Sequence, residues 1–421
     1  MLAGIYYGAQ YGGSTTAVLV NVPGESSSVV TCLDGHQMAR QGRAGTALAI
    51  AALASLLAGI LATILLAFAT PMLAAITMRF GAAEYTALMV LGLIGAIVLS
   101  NGSFFNALGM VFVGLLLGIV GIDIETAVPR YTFGIWALSD GLTFIAVAMG
   151  IFGIGEVLRN LEIDQDRKLL HAKVTGLMPS LRDLRAAFPA ALRGTGIGAI
   201  LGVLPGGGAL LSSFASYAVE KKVAADPARF GKGAIEGVAG PEAANNAGAQ
   251  TSFILLLTLG IPSNGVMALM LGAMIMHGIV PGPRILSAQP ELFWGLIASM
   301  LIGNLMLVII NLPLIGIWVR LLRIPYRLLF PAILLFCAIG AYAETMSLVS
   351  IVMLIMFGIL GYIFYKLDCE PAPLIMGFIL GPMLEENLRR SLVLSRGDPM
   401  IFLERPISAV ILASSAILVG H

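Results

Sequence analysis

The sequence predicts an all-α, polytopic membrane protein: a helical bundle with two structural repeats that contain broken or re-entrant helices. Three observations carry that reading. Of the 421 residues, 58% are hydrophobic and only 11% charged, with a mean hydropathy of +0.95, whereas a soluble domain carries roughly 25% charged residues. The apolar residues gather into runs fit for a hydrocarbon core about 30 Å thick. Two stretches, one at 11–28 and one at 240–265, carry matching clusters of Gly, Pro, Ser and Asn within otherwise apolar sequence.

In chain order, Met1 to Gly24 carries no charge, so no signal peptide with a basic leading region is expected. Apolar segments follow at 47–70, 84–100, 103–121, 131–155, 194–218, 246–279, 291–319, 328–343, 346–365, 371–384 and 407–420. Each reads as helix, because the runs are too long and too evenly apolar for the alternation of a membrane barrel. Between Glu156 and Arg193 the chain turns polar and carries seven Lys and Arg residues. The excess of positive charge in cytoplasmic loops assigns this stretch, and the Arg320, Arg323 and Arg327 cluster, to the cytoplasmic side. The expected organisation is a first transmembrane repeat at 1–155, a cytoplasmic linker at 156–193, and a second repeat with C-terminal helices at 194–421.

Net charge is +1, which argues against nucleic acid as a partner, since phosphate binding needs a concentrated basic surface. The expected surroundings are membrane lipid. Cys32, Cys337 and Cys369 lie far apart in or beside apolar sequence and read as packing or lipid-facing thiols, with no metal spacing.

The interruptions carry the functional signal. One runs from Tyr11 through Gly12, Gly13, Ser14, Thr15 and Asn21 to Pro23, Gly24 and Ser28; the other from Gly240 through Asn245 and Asn246 to Gly260, Pro262, Ser263 and Asn264. Gly-Ala-Gln occurs in both, at 8–10 and 248–250, one residue out of register once Pro23 is aligned with Pro262. That is the mark of an internal repeat. Pro and Gly free backbone groups that a low-dielectric medium tolerates only where they are buried in protein or line a polar cavity. A half-helix starting at such a break offers unpaired N–H groups and a partial positive charge to a carboxylate, and opposing carbonyls suit Na⁺. A third cluster, Gly202 to Gly208 with Pro205, Gly206 and Gly207, reads as an unwound elbow, because no Gly-Lys-Ser/Thr follows it.

These residues resemble a known family. Tyr-Gly-Gly-Ser-Thr-Thr-Ala with Asn-Val-Pro-Gly-Glu (11–25), Leu-Pro-Gly-Gly-Gly (204–208), Pro-Glu-Ala-Ala-Asn-Asn (241–246), Leu-Gly-Ile-Pro (259–262) and His-Gly-Ile-Val-Pro-Gly-Pro (277–283) are similar to the signature of the large, TctA-type membrane subunit of tripartite tricarboxylate transporters. The resemblance implies uptake of a small carboxylate across the bacterial inner membrane, driven by an ion gradient. A small membrane subunit and a periplasmic solute-binding protein would complete the system. Family members carry an elbow ahead of the first Gly-Ala-Gln, whereas seven residues precede it here, so the expectation is a start that falls inside the gene.

The expected mechanism is alternating access around a midplane cavity. Ser14, Thr15, Asn21, Gly24, Asn245, Asn246, Ser263 and Asn264 would hold a di- or tricarboxylate. Gly12, Gly13, Pro23, Pro205, Gly206, Gly207, Gly208, Gly260 and Pro262 would be unwound or hinge positions. Asp34, Asp140 and His277 are candidates for a cation or pathway role, since ionisable residues in membrane segments are functional suspects. Na⁺ or H⁺ would be the coupling ion, with no other cofactor. No Gly-x-Ser-x-Gly elbow or paired aspartyl motif supports an intramembrane enzyme; the rivals are a passive anion channel and a non-transporting assembly subunit.

Overall fold

A computed structural model describes residues 1–21, 24–77, 80–98, 100, 103–123, 126–162, 177–203, 208–317 and 326–419. About 80% of it is helical. Helix α1 (Leu2–Val20) leads through a 3₁₀ turn (Ser26–Ser28) into α2 (Val29–Met38). A π turn at Ala39–Arg43, bent at Gly42 (φ 80°), joins α2 to α3 (Ala44–Thr77). Then come α4 (Ala82–Val98), α5 (Phe104–Gly118) and a minimal antiparallel pair, β1 (Gly121–Ile122) with β2 (Pro129–Arg130). Helix α6 (Phe144–Ala148) passes through a π turn into α7 (Gly155–Glu162). The chain continues with α8 (Leu181–Leu201), α9 (Gly208–Val223), α10 (Glu236–Leu259), α11 (Gly265–Met276), α12 (Ile285–Ala288) and α13 (Pro290–Asn311). It ends with α14 (Tyr326–Thr345), α15 (Leu348–Lys366), α16 (Pro371–Leu394), α17 (Ile401–Glu404) and α18 (Pro406–Val419).

Four helical stretches are long and apolar enough to cross a membrane: Val29–Ala75, Phe144–Glu162, Pro290–Asn311 and Leu348–Lys366. Shorter apolar helices include Ala82–Val98, Phe104–Gly118 and Pro406–Leu418. This is a multi-pass membrane protein.

Several expectations need correcting. The run at 131–155 is not helical from its start: helix begins at Phe144, after the β pair and a 3₁₀ turn at Trp136–Leu138. Positive φ at Tyr131, Phe133, Gly134 and Gly141 breaks the helical path there, so Asp140 sits exposed in a turn rather than mid-helix. Among the described residues, the expected all-α class is interrupted by that one antiparallel pair of two-residue strands. Helix α8 starts at Leu181 rather than 194, fixed by a capping box in which Ser180 and Asp183 satisfy each other's backbone amides. Gly12 and Gly13 are not unwound but lie inside α1, and the Gly240–Ser252 stretch lies inside the continuous α10. Pro23, Pro205, Gly206 and Gly207, with Arg320 and Arg323, fall outside the described residues.

The chain forms two compact units interleaved along the sequence: 1–75, 166–263 and 281–324 in the first; 76–165, 264–280 and 325–421 in the second. The first is organised around α10, which is buried at every residue from Gly237 to Leu259. Lipid gives helices no hydrophobic reason to associate, so close backbone packing through small residues has to hold them. Gly194, Gly198 and Gly202, one turn apart on α8, lie against Gly240, Ala244 and Gly248, one turn apart on α10. A methyl group on any of the three α8 glycines would overlap α10 atoms. In the second unit α5 meets α16 in the same manner. A Cβ on Gly114 would overlap the Leu374 carbonyl, and one on Gly377 would overlap that of Val111. There Arg130 pairs with Glu385 at 2.6 Å and Arg389 with Asp123 at 2.9 Å, tying the β pair to α16.

Candidate functional site

The two interruptions share one geometry. Helix α1 ends in Asn21, which takes the left-handed conformation (φ 57°), and α10 ends in Gly260, likewise left-handed (φ 68°). Each left-handed cap stands two residues before a proline, at Pro23 and Pro262. A left-handed C-cap followed by Pro is how a helix is stopped, because neither residue continues it. Beyond the second break the Gly282 amide returns to donate to the Leu257 carbonyl at 2.9 Å, satisfying one of the last carbonyls of α10.

After the first break the chain folds flat against α1. A Cβ on Gly24 would come within 2.6 Å of the Gly13 Cα, and one on Gly13 within 2.8 Å of the Glu25 side chain. The two glycines therefore permit a close approach, which is why Gly13 stays helical. That approach brings Glu25, Ser27 and Thr31 onto the polar face of α10.

What results is a hydrogen-bonded group built on two carboxylates, the buried Glu242 and the half-buried Glu25. Glu242 is fully buried; it accepts from the Ser14 hydroxyl at 2.9 Å and from the Thr31 hydroxyl. Asn245, one residue short of a turn further on, is also fully buried. Its amide nitrogen donates to Glu25 Oε1 at 2.9 Å, and its oxygen accepts from Ser27 Oγ at 2.7 Å. The Ser27 hydroxyl also lies 2.5 Å from Glu25 Oε2. The Gln10 amide nitrogen, in the orientation that satisfies it, reaches Glu25 Oε1 at 3.0 Å. The Ser213 hydroxyl of α9 donates to the Ser27 carbonyl at 2.8 Å. Among the described residues neither Glu25 nor Glu242 has an ion-pair partner. Such a site has oxygen acceptors in excess and suits a cation better than an anion.

The expected site residues are thus divided. Ser14 and Asn245 meet in this group: the Ser14 hydroxyl donates to Glu242 and the Asn245 amide nitrogen to Glu25, while the Asn245 oxygen accepts from Ser27. Thr15 lines a narrow cleft with Tyr11, Ser14, Leu48, Ala51, Ala52 and Asn311. Asn246 faces α3, donating to Ser55 Oγ at 2.7 Å and to the Glu242 carbonyl at 3.1 Å. Asn21 and Gly24 are exposed at the first break. Ser263 is fully buried, and its hydroxyl has no partner among the described residues. Asn264, in the second unit, caps α11 by accepting from the Met267 amide at 2.9 Å. Gly208 opens α9 with φ 42°.

Asp34 does not face an open pathway. Its carboxylate accepts from the Gly233 and Ala234 amides, each at 2.8 Å, and from the Tyr217 hydroxyl at 2.9 Å. It clamps the turn leading into α10. His277 is exposed at the C-terminal end of α11.

Gln10, Ser27 and Thr31 were not singled out from the sequence. The signal for one was present: Gly-Ala-Gln recurs at 248–250, and Gln250 is equally buried, accepting from the Thr63 hydroxyl at 2.5 Å.

Comparison with known proteins adds the following. The family model described as the tripartite tricarboxylate transporter TctA family matches residues 1–376. A relative from Agrobacterium vitis, described as an uncharacterized 52.8 kDa protein in the TAR-I ttuC′ 3′ region, is 59% identical over 413 residues, 98% of this chain and 82% of the relative. A second, an uncharacterized protein in the TAR-II ttuC′ 3′ region of the same organism, is 60% identical over 222 residues, 53% of this chain and 92% of that protein. No solved structure matches at a significant level.

Proposed function

The chain belongs to the tripartite tricarboxylate transporter TctA family, and from that premise we propose that it is the large membrane subunit of a cation-coupled secondary transporter. It takes up di- or tricarboxylates handed over by a periplasmic binding protein, works with a small membrane subunit, and resides in the bacterial inner membrane. The two capped helix ends, Asn21 and Gly260, belong to two structural repeats whose interruptions flank the transport site.

The observation that carries the reading is the hydrogen-bonded group around the half-buried Glu25 and the buried Glu242. Ionisable side chains inside membrane protein are costly and mark ion pathways. Two carboxylates held by neutral hydroxyls and amides, with no ion-pair partner among the described residues, have the chemistry to take up a coupling ion. The substrate anion is held by neutral donors such as Thr15 and Ser263. Neutral donors suit an anion that has to be released, whereas a fixed guanidinium would retain it. Alternating access then exposes ion and substrate to one side at a time.

Counterflow of radiolabelled citrate tests this, using membrane vesicles that carry the chain with its two partner subunits. A carrier gives transient accumulation of label against preloaded unlabelled citrate, with saturation. Linear flux without saturation would mean a passive anion channel, and no flux an assembly subunit.

A further inference from the structure

Along α10, Glu242, Asn246 and Gln250 stand at i, i+4 and i+8, and on α3 Ser55, Gly59 and Thr63 do the same. Residues so spaced share one face of a helix, and these two faces meet: Asn246 donates to Ser55, and Thr63 donates to Gln250. The seam runs about 12 Å, eight residues at 1.5 Å each. It is polar, and it is incompletely satisfied. Asn246 Oδ1 and Gln250 Nε2 are both buried without a partner among the described residues. One is an acceptor and the other a donor, one turn apart. The Asn304 side chain of α13 lies against Gly59, between Ser55 and Thr63, and a water beside it would satisfy both unmet groups, as buried waters do for otherwise unpaired polar atoms.

At one end of the seam, Glu242 sits in a setting that accommodates two protonation states without rearranging the backbone. Ser14 Oγ lies 2.9 Å from Glu242 Oε2 and 3.1 Å from the Tyr11 carbonyl. With Glu242 ionised, Ser14 donates to it. With Glu242 protonated, the hydroxyl turns its proton to the Tyr11 carbonyl and accepts the carboxyl proton instead. Thr31 donates to the other carboxyl oxygen in both states. The titratable groups facing Glu242 are Tyr11 from α1, Cys32 from α2 and Glu25 from the intervening turn. Asp34 of α2 is engaged by its three donors, and Glu220 of α9, which lies against Gly240, is matched by Arg193. The α3 face offers uncharged groups alone.

We propose that the coupling ion is a proton, carried by Glu242 and reached through water held along the Asn246–Gln250 seam. The step balances simply: hydronium gives its proton to the Glu242 carboxylate, leaving water and a neutral carboxyl, and the reverse releases it. This rests on the carrier reading above and adds the identity of the ion and of the group that takes it.

Infrared spectra of the full chain in lipid bilayers, recorded as pH is varied, test it without any substrate. A protonated-carboxyl band that titrates is expected, absent in Glu242→Gln and retained in Glu25→Gln, with its midpoint unmoved when choline replaces Na⁺. In Ser14→Ala the band should persist but change frequency, since one hydrogen-bond partner of the carboxyl is gone. That variant keeps the test decisive should the Glu242→Gln amide signature show misfolding. A band that survives in Glu242→Gln, or that keeps its frequency in Ser14→Ala, overturns the proposal. So does a midpoint that moves tenfold or more in proton concentration with Na⁺, which would make Na⁺ the ion at this carboxylate. Citrate counterflow by the wild-type system is read separately: its failure removes the carrier reading and leaves the band in place.

Discussion

Ser14 and Glu242, 228 positions apart in sequence, meet through a 2.9 Å hydrogen bond between two buried side chains. The contact joins α1 to the first half of α10, both of which end in left-handed caps. It puts a fully buried acid of the first unit beside the first interruption.

That geometry depends on how closely α8 and α9 brace α10. A methyl at Gly198 would overlap the Ala244 carbonyl, which is backbone and has nowhere to move. Gly198→Ala should therefore cost about 1–3 kcal/mol by overpacking, seen as a lower midpoint of thermal unfolding in detergent. An Ala at Gly196, where nothing lies within 4 Å, should leave the midpoint unchanged.

Asp34 holds the entrance to α10 rather than an ion. Asp34→Asn exchanges an acceptor of three hydrogen bonds for a group with one acceptor oxygen, leaving at least one buried donor poorly met. A loss of about 1–3 kcal/mol is expected. Hydrogen exchange should quicken at the Gly233 and Ala234 amides while α13 is unaffected. Unaltered exchange there would refute the clamp.

The second break is stopped twice, by Gly260 and by Pro262. Pro262→Ala alone should leave α10 ending at Leu259, because the left-handed turn at φ 68° remains. Joining it to Gly260→Ala removes the residue that adopts that turn cheaply, by about 1 kcal/mol. Citrate uptake should fall at least several-fold further in the double variant than in Pro262→Ala. Equal uptake in the two would show that the cap does not matter to transport.

Glu220 is almost fully buried on α9 and takes two hydrogen bonds from Arg193, at 2.8 and 2.6 Å. Arg193→Ala strands a buried charge. Arg193 is itself partly exposed, so the loss should fall below the 3–5 kcal/mol typical of a broken buried pair. Membrane yield and thermal midpoint should both drop, and Glu220→Gln added to Arg193→Ala should restore part of each.

Much of this was legible in the sequence. The apolar runs gave the class, and the Pro and Gly clusters gave both helix stops, because each is a local property of the backbone. The internal course of α1 and α10 was not legible. Gly12 and Gly13 look like breakers by propensity, yet both lie inside α1, and Gly13 and Gly24 are small so that a turn can lie against that helix. The partners of Ser14 and Asn245 were hidden for a related reason. Hydroxyls and amides at a break suggest an anion site, and only the fold reveals that Glu25 and Glu242 already occupy them. Trp136 and its neighbours misled in the opposite direction, since an apolar run in a loop has the composition of a helix.

The central claim is that the Glu25–Glu242 group couples an ion to carboxylate transport. Comparing gradient-driven accumulation of labelled citrate with its counterflow, in wild type and in the Glu25→Gln, Glu242→Gln double variant, tests it most directly. The account predicts that the double variant loses accumulation at least tenfold while counterflow, which needs no net ion movement, persists. A double variant that still accumulates citrate as wild type does would contradict it.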